Sequence, residues 1–553
     1  MRKLPGHWQR YRSAASWCGF LILLCLLSAC ATPIGVSYVD RRLAYQSLTS
    51  NVLSTEKISS FSARELINFN LYQEFEDNPQ KALSNLHSGL AARGDEDRLF
   101  ALAELSFLHA QNSGERSYYL AAAVYAYAFV LPGQRGTPPR GIDPKDFVPA
   151  ADLEVRGLRN RYRTPGIGAA LAASIEPLET GKQSMRIPPR LKIPVTAFLR
   201  LEDPRSALAS GKLRGELEFY TPDSTRTLKI EGVEVPIEYE TTSALALTLE
   251  GAPIWDFEIA GFRSGDFTIG DANLREGVFM LHPHKSGRTP VVLVHGTASS
   301  PARWTELINE LENDPRFWEK YEIWLFMYNT GNPIAYSAML PRDGLAKIVK
   351  ELDPEDKDTG LKQMVVMGHS QGGLLTKMTV IDSGTRLWPF TVPPEELDID
   401  AETRELLTNA LMIKPLPFVR RVVFIATPHR GSYQSLGILG NLASWLVNLP
   451  GRFTKLSIEL LTLQQKGFVL GPMRSGLPTS IDNMNPNNRF IQALSAIPIA
   501  DGVVANSIVG VEGGGPPAEG GDGVVKYSSA HIDGVESEKI VHSAHSMQGN
   551  PET

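Results

Sequence analysis

Apolar and polar positions change rhythm three times along the chain. From about Tyr38 to Arg163 they recur at helical spacing, in Ser62–Glu74, Pro79–Arg93, Glu96–Gln111 and Ser117–Leu131, with Asp152–Tyr162 as one more helix. The first segment opens on Ser62-Ala63-Arg64-Glu65, the pattern of a capping box. Alanine-rich faces such as Leu120–Ala128 predict closely packed antiparallel helices, without a clean repeat period. From Lys192 the texture turns to short runs rich in β-branched and aromatic residues. Ile193–Leu201, Lys212–Tyr220, Thr227–Ile230, Val235–Glu240 and Ala244–Leu249 predict a small antiparallel β domain ending near Phe267.

From Val278 onward continuous apolar runs alternate with amphipathic segments. Val291–Val294, Ile323–Met327, Met364–Met367, Val422–Ala426, Val503–Val511 and Ser537–Val541 read as strands. Asp343–Leu352 and Gly373–Asp382 read as helices between them. This alternation predicts an α/β class with a mostly parallel sheet covered on both faces. Two stretches interrupt it, a proline-rich one at 387–418 and one at 436–477 with apolar helices Leu436–Leu449 and Leu456–Lys466. Both are expected to cap a site. A chain of 553 residues exceeds a single core, so two or three folded units are expected. Their bounds are 30–190 for an accessory helical domain, 191–270 for the β domain and 271–553 for the α/β domain. The helical part either packs on the rest or offers a surface to a protein partner.

The net charge of −6 and the lack of a basic stripe argue against nucleic acid. The basic start (Arg2, Lys3, Arg10, Arg12) precedes an apolar run from Trp17 to Leu27 and then Leu27-Ser28-Ala29-Cys30, which reads as an export signal over 1–29. The run is too short for a confident membrane-spanning helix. All three cysteines (Cys18, Cys25, Cys30) fall in this segment, so the mature chain has no disulfide and no cysteine metal site. No histidine pair has metal-ligand spacing, and neither a metal nor a cofactor is expected.

The chemistry concentrates at Gly368-His369-Ser370-Gln371-Gly372, a G-x-S-x-G pentapeptide between a predicted strand and a predicted helix. This is the nucleophile elbow, a turn so sharp that its flanks must be nearly free of side chain, as Gly368, Gly372 and Gly373 are. A serine needs a base, a carboxylate that orients the base, and N–H donors for an oxyanion. The acid is expected beyond the strand that follows Val422–Ala426. Asp501 precedes Val503–Val511 and sits at its wrong end, whereas Asp522 follows it at the carboxyl edge, where such sheets place their sites. The base must come from the end of the chain, where His531, His542 and His545 are the candidates and His545 stands on the loop after the final strand Ser537–Val541. The N–H of Gln371 is one oxyanion donor, and that of Thr297 or Ala298, in the loop after Val291–Val294, is the second. His295 is expected to brace that loop, His369 to pack beneath the elbow, and His429 to be structural or to line a pocket. His282 and His284, flanking Pro283, read as a surface turn.

With these residues the chain resembles the α/β-hydrolase superfamily over about 278–553, above all bacterial lipases and lipase-like inositol deacylases of the PGAP1 type. The resemblance rests on His295-Gly296, the Gly368–Gly372 elbow, Thr427-Pro428-His429-Arg430-Gly431-Ser432, and Asp522-Gly523-Val524-Val525 with His545-Ser546. It implies a serine ester hydrolase with Ser370, Asp522 and His545 as its triad, since the family's His-Ser motif falls on His545-Ser546. Leu27–Cys30 resembles the lipobox of bacterial lipoproteins, which implies a lipidated Cys30 and a membrane anchor. Ala31 after it implies the outer membrane. An acyltransferase using the same triad, or a lipoprotein scaffold that retains the fold without activity, are the alternatives.

Overall fold

Along the central strands, alternate side chains point to opposite faces, and neighbouring strands are in register. Trp324, Val292, Val366, Val422 and Ala505 stand side by side on five adjacent strands and all enter one core. The next residues along, Leu325, Leu293, Met367 and Val423, face the second core on the other side. Burying a side chain of this kind contributes roughly 1.5–3 kcal/mol, which fixes the register, because a slip of one residue would exchange the two faces. The computed structural model describes residues 35–55, 57–88, 90, 96–130, 148–150, 153–174, 191–201, 215–222, 225–230, 233–250, 276–432, 452–469 and 478–553. The export signal, Cys30 and the predicted helix Leu436–Leu449 lie outside these residues, as does the end of the β domain near Phe267.

The sheet has seven strands: β1 (Gly277–Met280), β2 (Thr289–Val294), β3 (Tyr321–Met327), β4 (Met364–His369), β5 (Val419–Ile425), β6 (Val504–Gly510) and β7 (Ser537–Val541). Their order is β1-β3-β2-β4-β5-β6-β7, with β1 antiparallel to β3 and every other pair parallel. On one side lie α2 (Ile334–Leu352), α3 (Gln371–Lys377), α4 (Ala401–Leu411), α5 (Arg452–Gln465) and α6 (Arg489–Ala496). The other side carries α1 (Thr305–Glu312) and the apolar side chains of Trp304, Ile308 and Met547. The start predicted for α2 at Asp343 falls after Pro341, yet the helix runs through this proline. Burial of Ile334, Ala338, Leu345 and Ile348 outweighs the one backbone bond that proline removes. Buried Lys377 donates to the carbonyls of Leu494 (2.8 Å) and Ser495 (3.2 Å), so the elbow helix caps the last turn of α6.

The stretch 387–418 sends Leu397, Leu407, Ala410 and Leu411 into the same core as Leu345 and Ile348, so it is part of the body of the domain. In the other insertion α5 buries Leu456, Leu460 and Leu463 and leaves Ile458 and Leu461 exposed.

N-terminal to the sheet, helices at Ser60–Asn68, Tyr72–Asp77, Pro79–His87, Glu96–Ser113 and Arg116–Val130 enclose a small core of Leu66, Leu83, Leu86, Leu102 and Leu105. The capping box expected at Ser62 is displaced. Ser59 is the N-cap and accepts the N–H of Ser62, while the buried Ser59 and Ser62 hydroxyls both donate to Glu104 (2.5 Å each). Two predicted elements change type. Asp152–Tyr162 is not a helix, because Leu153–Arg156 is a strand paired with Gly35–Tyr38 and a loop follows it. Ala244–Leu249 is not a strand but belongs to the helix Thr241–Leu249, in which Thr241, Thr242, Ser243, Ala244 and Ala246 are all buried. Its Ala-Leu alternation imitates a strand, although both residues are good helix formers. The antiparallel sheet also draws on Val148–Pro149 and Ala169–Ser174, well before residue 191, which pair in series with Lys192–Leu201 and Gly215–Tyr220.

This N-terminal part meets the seven-stranded sheet domain along α1. Glu306, Asn309, Glu310 and Asn313 recur at helical spacing and form a polar stripe. Arg159 N–H donates to Glu306 (2.9 Å), Asn160 Nδ2 to Glu310 (2.9 Å), and Tyr162 O–H to Glu310. The Thr242 hydroxyl donates to Asn309 (2.7 Å) and that of Thr241 to Asn313 (2.6 Å).

Candidate active site

β4 runs straight into α3 with a single residue between them. Ser370 occupies that position at φ 53°, ψ −125°, a left-handed conformation that costs an L-residue on the order of 1–3 kcal/mol. Its N–H donates to Ile425 O (2.8 Å) and its carbonyl accepts from Gly373 N–H (2.9 Å), which hold the turn closed. A Cβ on Gly368 would collide with Gly372 O, and one on Gly372 with the carbonyls of Val294 and His295. Gly368 is therefore demanded by the closeness of its own elbow helix, and Gly372 by the packing of the elbow against the end of β2.

The carboxylate comes from the turn after β6. Asp522 is buried, and its Oδ1 accepts the N–H groups of Val524 (3.0 Å) and Val525 (2.7 Å). Oδ2 is left to face His545 Nδ1 at 2.8 Å. Ser432 Oγ donates to Val524 O (2.7 Å), so the 427–432 segment is tied to the turn that carries the acid. His545 stands on the loop after β7, and its Nε2 lies 2.9 Å from Ser370 Oγ. A carboxylate at Nδ1 makes that nitrogen the donor and leaves Nε2 unprotonated, facing the serine hydroxyl. The structure thus brings Ser370, His545 and Asp522 into one line. Asp501, the other candidate acid, is exposed before β6, and the other two histidines are elsewhere. His542 contacts Gly513 O (3.1 Å), and His531 contacts Glu538 (2.8 Å) and Asp533 (3.2 Å).

The loop after β2 passes directly over the serine. Here Ala298 has φ 47°, and its N–H is engaged by Thr330 Oγ at 3.0 Å. Thr297 Oγ donates to Gln371 Oε1 (2.6 Å), whose Nε2 donates to Thr330 O (3.2 Å). Gln371 is the first residue of α3, where a backbone N–H has no carbonyl within its own helix. Three segments are therefore tied beside Ser370 through one glutamine side chain. Thr330 was not singled out from the sequence, although its place just beyond the carboxyl end of β3 is where such sheets carry functional residues.

His295, His369 and His429 are all buried in this domain. His369 Nε2 donates to His545 O (2.8 Å), while burial, and then the nearby His545, push its pKa down to about 3. His295 stacks on Tyr328 at 4.6 Å, and Tyr328 O–H donates to His295 O (2.9 Å). Burial lowers the His295 pKa to about 4 and drives His429, packed edge-on against Phe424, well below its ordinary value. For His295 and His369 the unfolded chain takes up the proton from about pH 6.5 downward and the native fold only near pH 4 and 3, so this stability is present above 6.5 and lost as pH falls. We expect a loss of roughly 2 kcal/mol for each of these two between about pH 7 and pH 5, with His429 acting in the same direction. Urea midpoints at the two pH values measure it, and equal midpoints would contradict it. His284 is a correction to the expected surface turn. It is half-buried, its ring held between Glu322 (2.7 Å) and Asp358 (3.1 Å), whose bonds and charges outweigh burial and raise its pKa. His282, paired with Glu312 at 3.1 Å and packed on Trp318, is half-buried too. The expectation failed because the partners lie 30 to 74 residues away in sequence.

Among the described residues no group of three or more His, Cys, Asp or Glu side chains could hold a metal ion. Nor is any described helix long and apolar enough to cross a membrane.

A mostly parallel sheet in this strand order, with a positive-φ serine between β4 and its helix and the acid and histidine following in chain order after β6 and β7, defines the α/β-hydrolase fold. The chain has that fold over about 276–553, preceded by an all-α segment and small antiparallel sheets. No protein-family model matches it, and no curated protein matches it in sequence. Solved structures similar to it include the mature lipase BlEst2 of Bacillus licheniformis, with 15% identity and a TM-score of 0.28 over 49% of this chain and 90% of that one. EstA of Clostridium botulinum has 14% identity and a TM-score of 0.29 over 54% and 94%. A lipase-esterase related protein of Clostridium acetobutylicum has 13% and 0.25 over 50% and 95%.

Proposed function

We propose that the protein is a serine hydrolase of carboxylic esters, working through an acyl-enzyme. The observation that carries this is His545 seated between Asp522 and Ser370 at 2.8 and 2.9 Å, with the serine on a strained turn. In this reading His545 Nε2 takes the Ser370 proton as Oγ attacks the ester carbonyl. Asp522 steadies the imidazolium, which then protonates the departing alcohol. Water activated by His545 releases the acid. His369, kept neutral, adds no competing charge beneath the imidazolium. The N–H of Gln371 is one oxyanion donor. Thr297 is favoured over Ala298 as the second, because the Ala298 N–H already has a partner in Thr330.

Thr330 then matters through the loop it holds. Thr330→Val removes the acceptor of the Ala298 N–H, and we expect kcat to fall about tenfold with KM nearly unchanged, less than the roughly 10²–10³ lost with an oxyanion donor itself. Steady-state kinetics on one ester measures the split.

We further propose a lipid-like acyl substrate and a membrane tether through a lipidated Cys30, on the outer membrane. The exposed Ile458 and Leu461 on α5 support the first and the Leu27–Cys30 motif the second. A fluorophosphonate probe with peptide mapping tests the hydrolase, and labelling at Ser370 is expected. A folded protein that does not react would move the reading to the scaffold. Rates on p-nitrophenyl esters of short and long chain then separate esterase from lipase. Cys30→Ala should shift the protein out of the membrane fraction.

A further inference from the structure

We infer that Arg159, from the N-terminal part of the chain, is a positioning residue for the catalytic histidine, an inference that rests on the hydrolase reading above. His545 is carried on a loop with no regular structure after β7, and its backbone is held at few points. His545 O accepts from His369 Nε2 (2.8 Å) and from Met547 N–H (2.9 Å), and Met547 is buried beside Trp304 and Ile308. Beyond Met547 the chain passes over α1. Arg159 Nη2 donates to Gly549 O at 2.6 Å, while the Arg159 backbone N–H donates to Glu306 on α1 at 2.9 Å. The guanidinium stands 3.7 Å from the same Glu306 carboxylate. A Cβ on Gly549 would come within 3.0 Å of Glu306, so the tail lies flat against the helix. One residue thereby fastens the end of the histidine loop to the helix that also supports Met547.

The stripe on α1 separates two roles. Asn160 and Tyr162 bind Glu310 and Asn309, away from the loop, and serve the union of the two parts of the chain. Arg159 alone among them also touches the segment that follows His545. Loss of this clamp lets the imidazole drift while the elbow, the acid turn and the oxyanion loop stay in place. A displacement on the order of 1 Å from the productive geometry costs up to about 10²-fold in rate.

The test compares Arg159→Ala, Arg159→Lys and Asn160→Ala in the full chain. For Arg159→Ala we expect kcat and the rate of fluorophosphonate labelling of Ser370 to fall together, roughly 10- to 100-fold, with KM within about twofold. Arg159→Lys, which keeps one donor but not the fork, should fall between. Asn160→Ala should lower the thermal midpoint and leave kcat near wild type. Amide exchange over 543–550 should accelerate in Arg159→Ala and stay unchanged over 364–380. If Arg159→Ala folds and labels at the wild-type rate, or if Asn160→Ala loses as much kcat, the positioning role is wrong. If Arg159→Ala does not fold, the lysine variant decides by the same two readings. A wild-type protein that does not label overturns the hydrolase reading instead.

Discussion

Ser370→Ala lowers kcat on a p-nitrophenyl ester by about 10⁶-fold, and His545→Ala does the same, while the double variant is no worse than either. The reason is that the two side chains act as one unit. Without Oγ there is no nucleophile, and without Nε2 the hydroxyl keeps its proton at neutral pH. The oxyanion donors are backbone N–H groups and survive both changes, so a residual rate of roughly 10³-fold over water remains. Alanine tolerates the same φ as serine and the hydroxyl is a small loss, so the unfolding midpoint should hardly move. Measuring kcat beside the midpoint separates loss of chemistry from loss of fold. A folded Ser370→Ala with rates near wild type would sink the mechanism.

The second large effect belongs to Asp522→Asn, for which we expect about a 10⁴-fold fall in kcat with the fold retained. Oδ1 receives two backbone N–H groups, from Val524 and Val525, and must stay an acceptor. The single oxygen of asparagine is held there, and its NH₂ is turned toward His545. Nδ1 must then accept, which places the ring proton on Nε2, pointed at Ser370. The base is present but in the wrong tautomer. Asp501→Asn, at the exposed turn before β6, should leave kcat unchanged. Equal losses in the two variants would remove Asp522 from its role.

The parts that were legible in the sequence are those fixed by local geometry. The elbow needs glycines within three residues of the serine, so the pentapeptide and its strand–helix context announce it. The edge of the sheet separates Asp522 from Asp501, the resemblance of His545-Ser546 to the family motif separates one histidine from three, and in the structure His545 lies between Asp522 and Ser370. What stayed hidden depends on distant partners. Leu153–Arg156 is a strand only because Gly35–Tyr38 lies beside it, and no periodicity within four residues reveals that. Ala244–Leu249 alternates small and large apolar residues like a strand, although it lies in a helix whose first four residues are all buried. His284 looks like a surface residue until Glu322 and Asp358 close around it. Arg159 stands in a loop that was read as helix, so its reach to Gly549 could not be anticipated.

That reach spans 390 residues. A contact of such separation closes a loop of most of the chain, an entropic cost that other structure must meet by drawing the two ends together. The seating of the histidine loop thus depends on the first and last thirds of the polypeptide having found each other. A chain in which the two have not yet met would display its elbow serine beside a loosely held base and would react slowly rather than at its full rate.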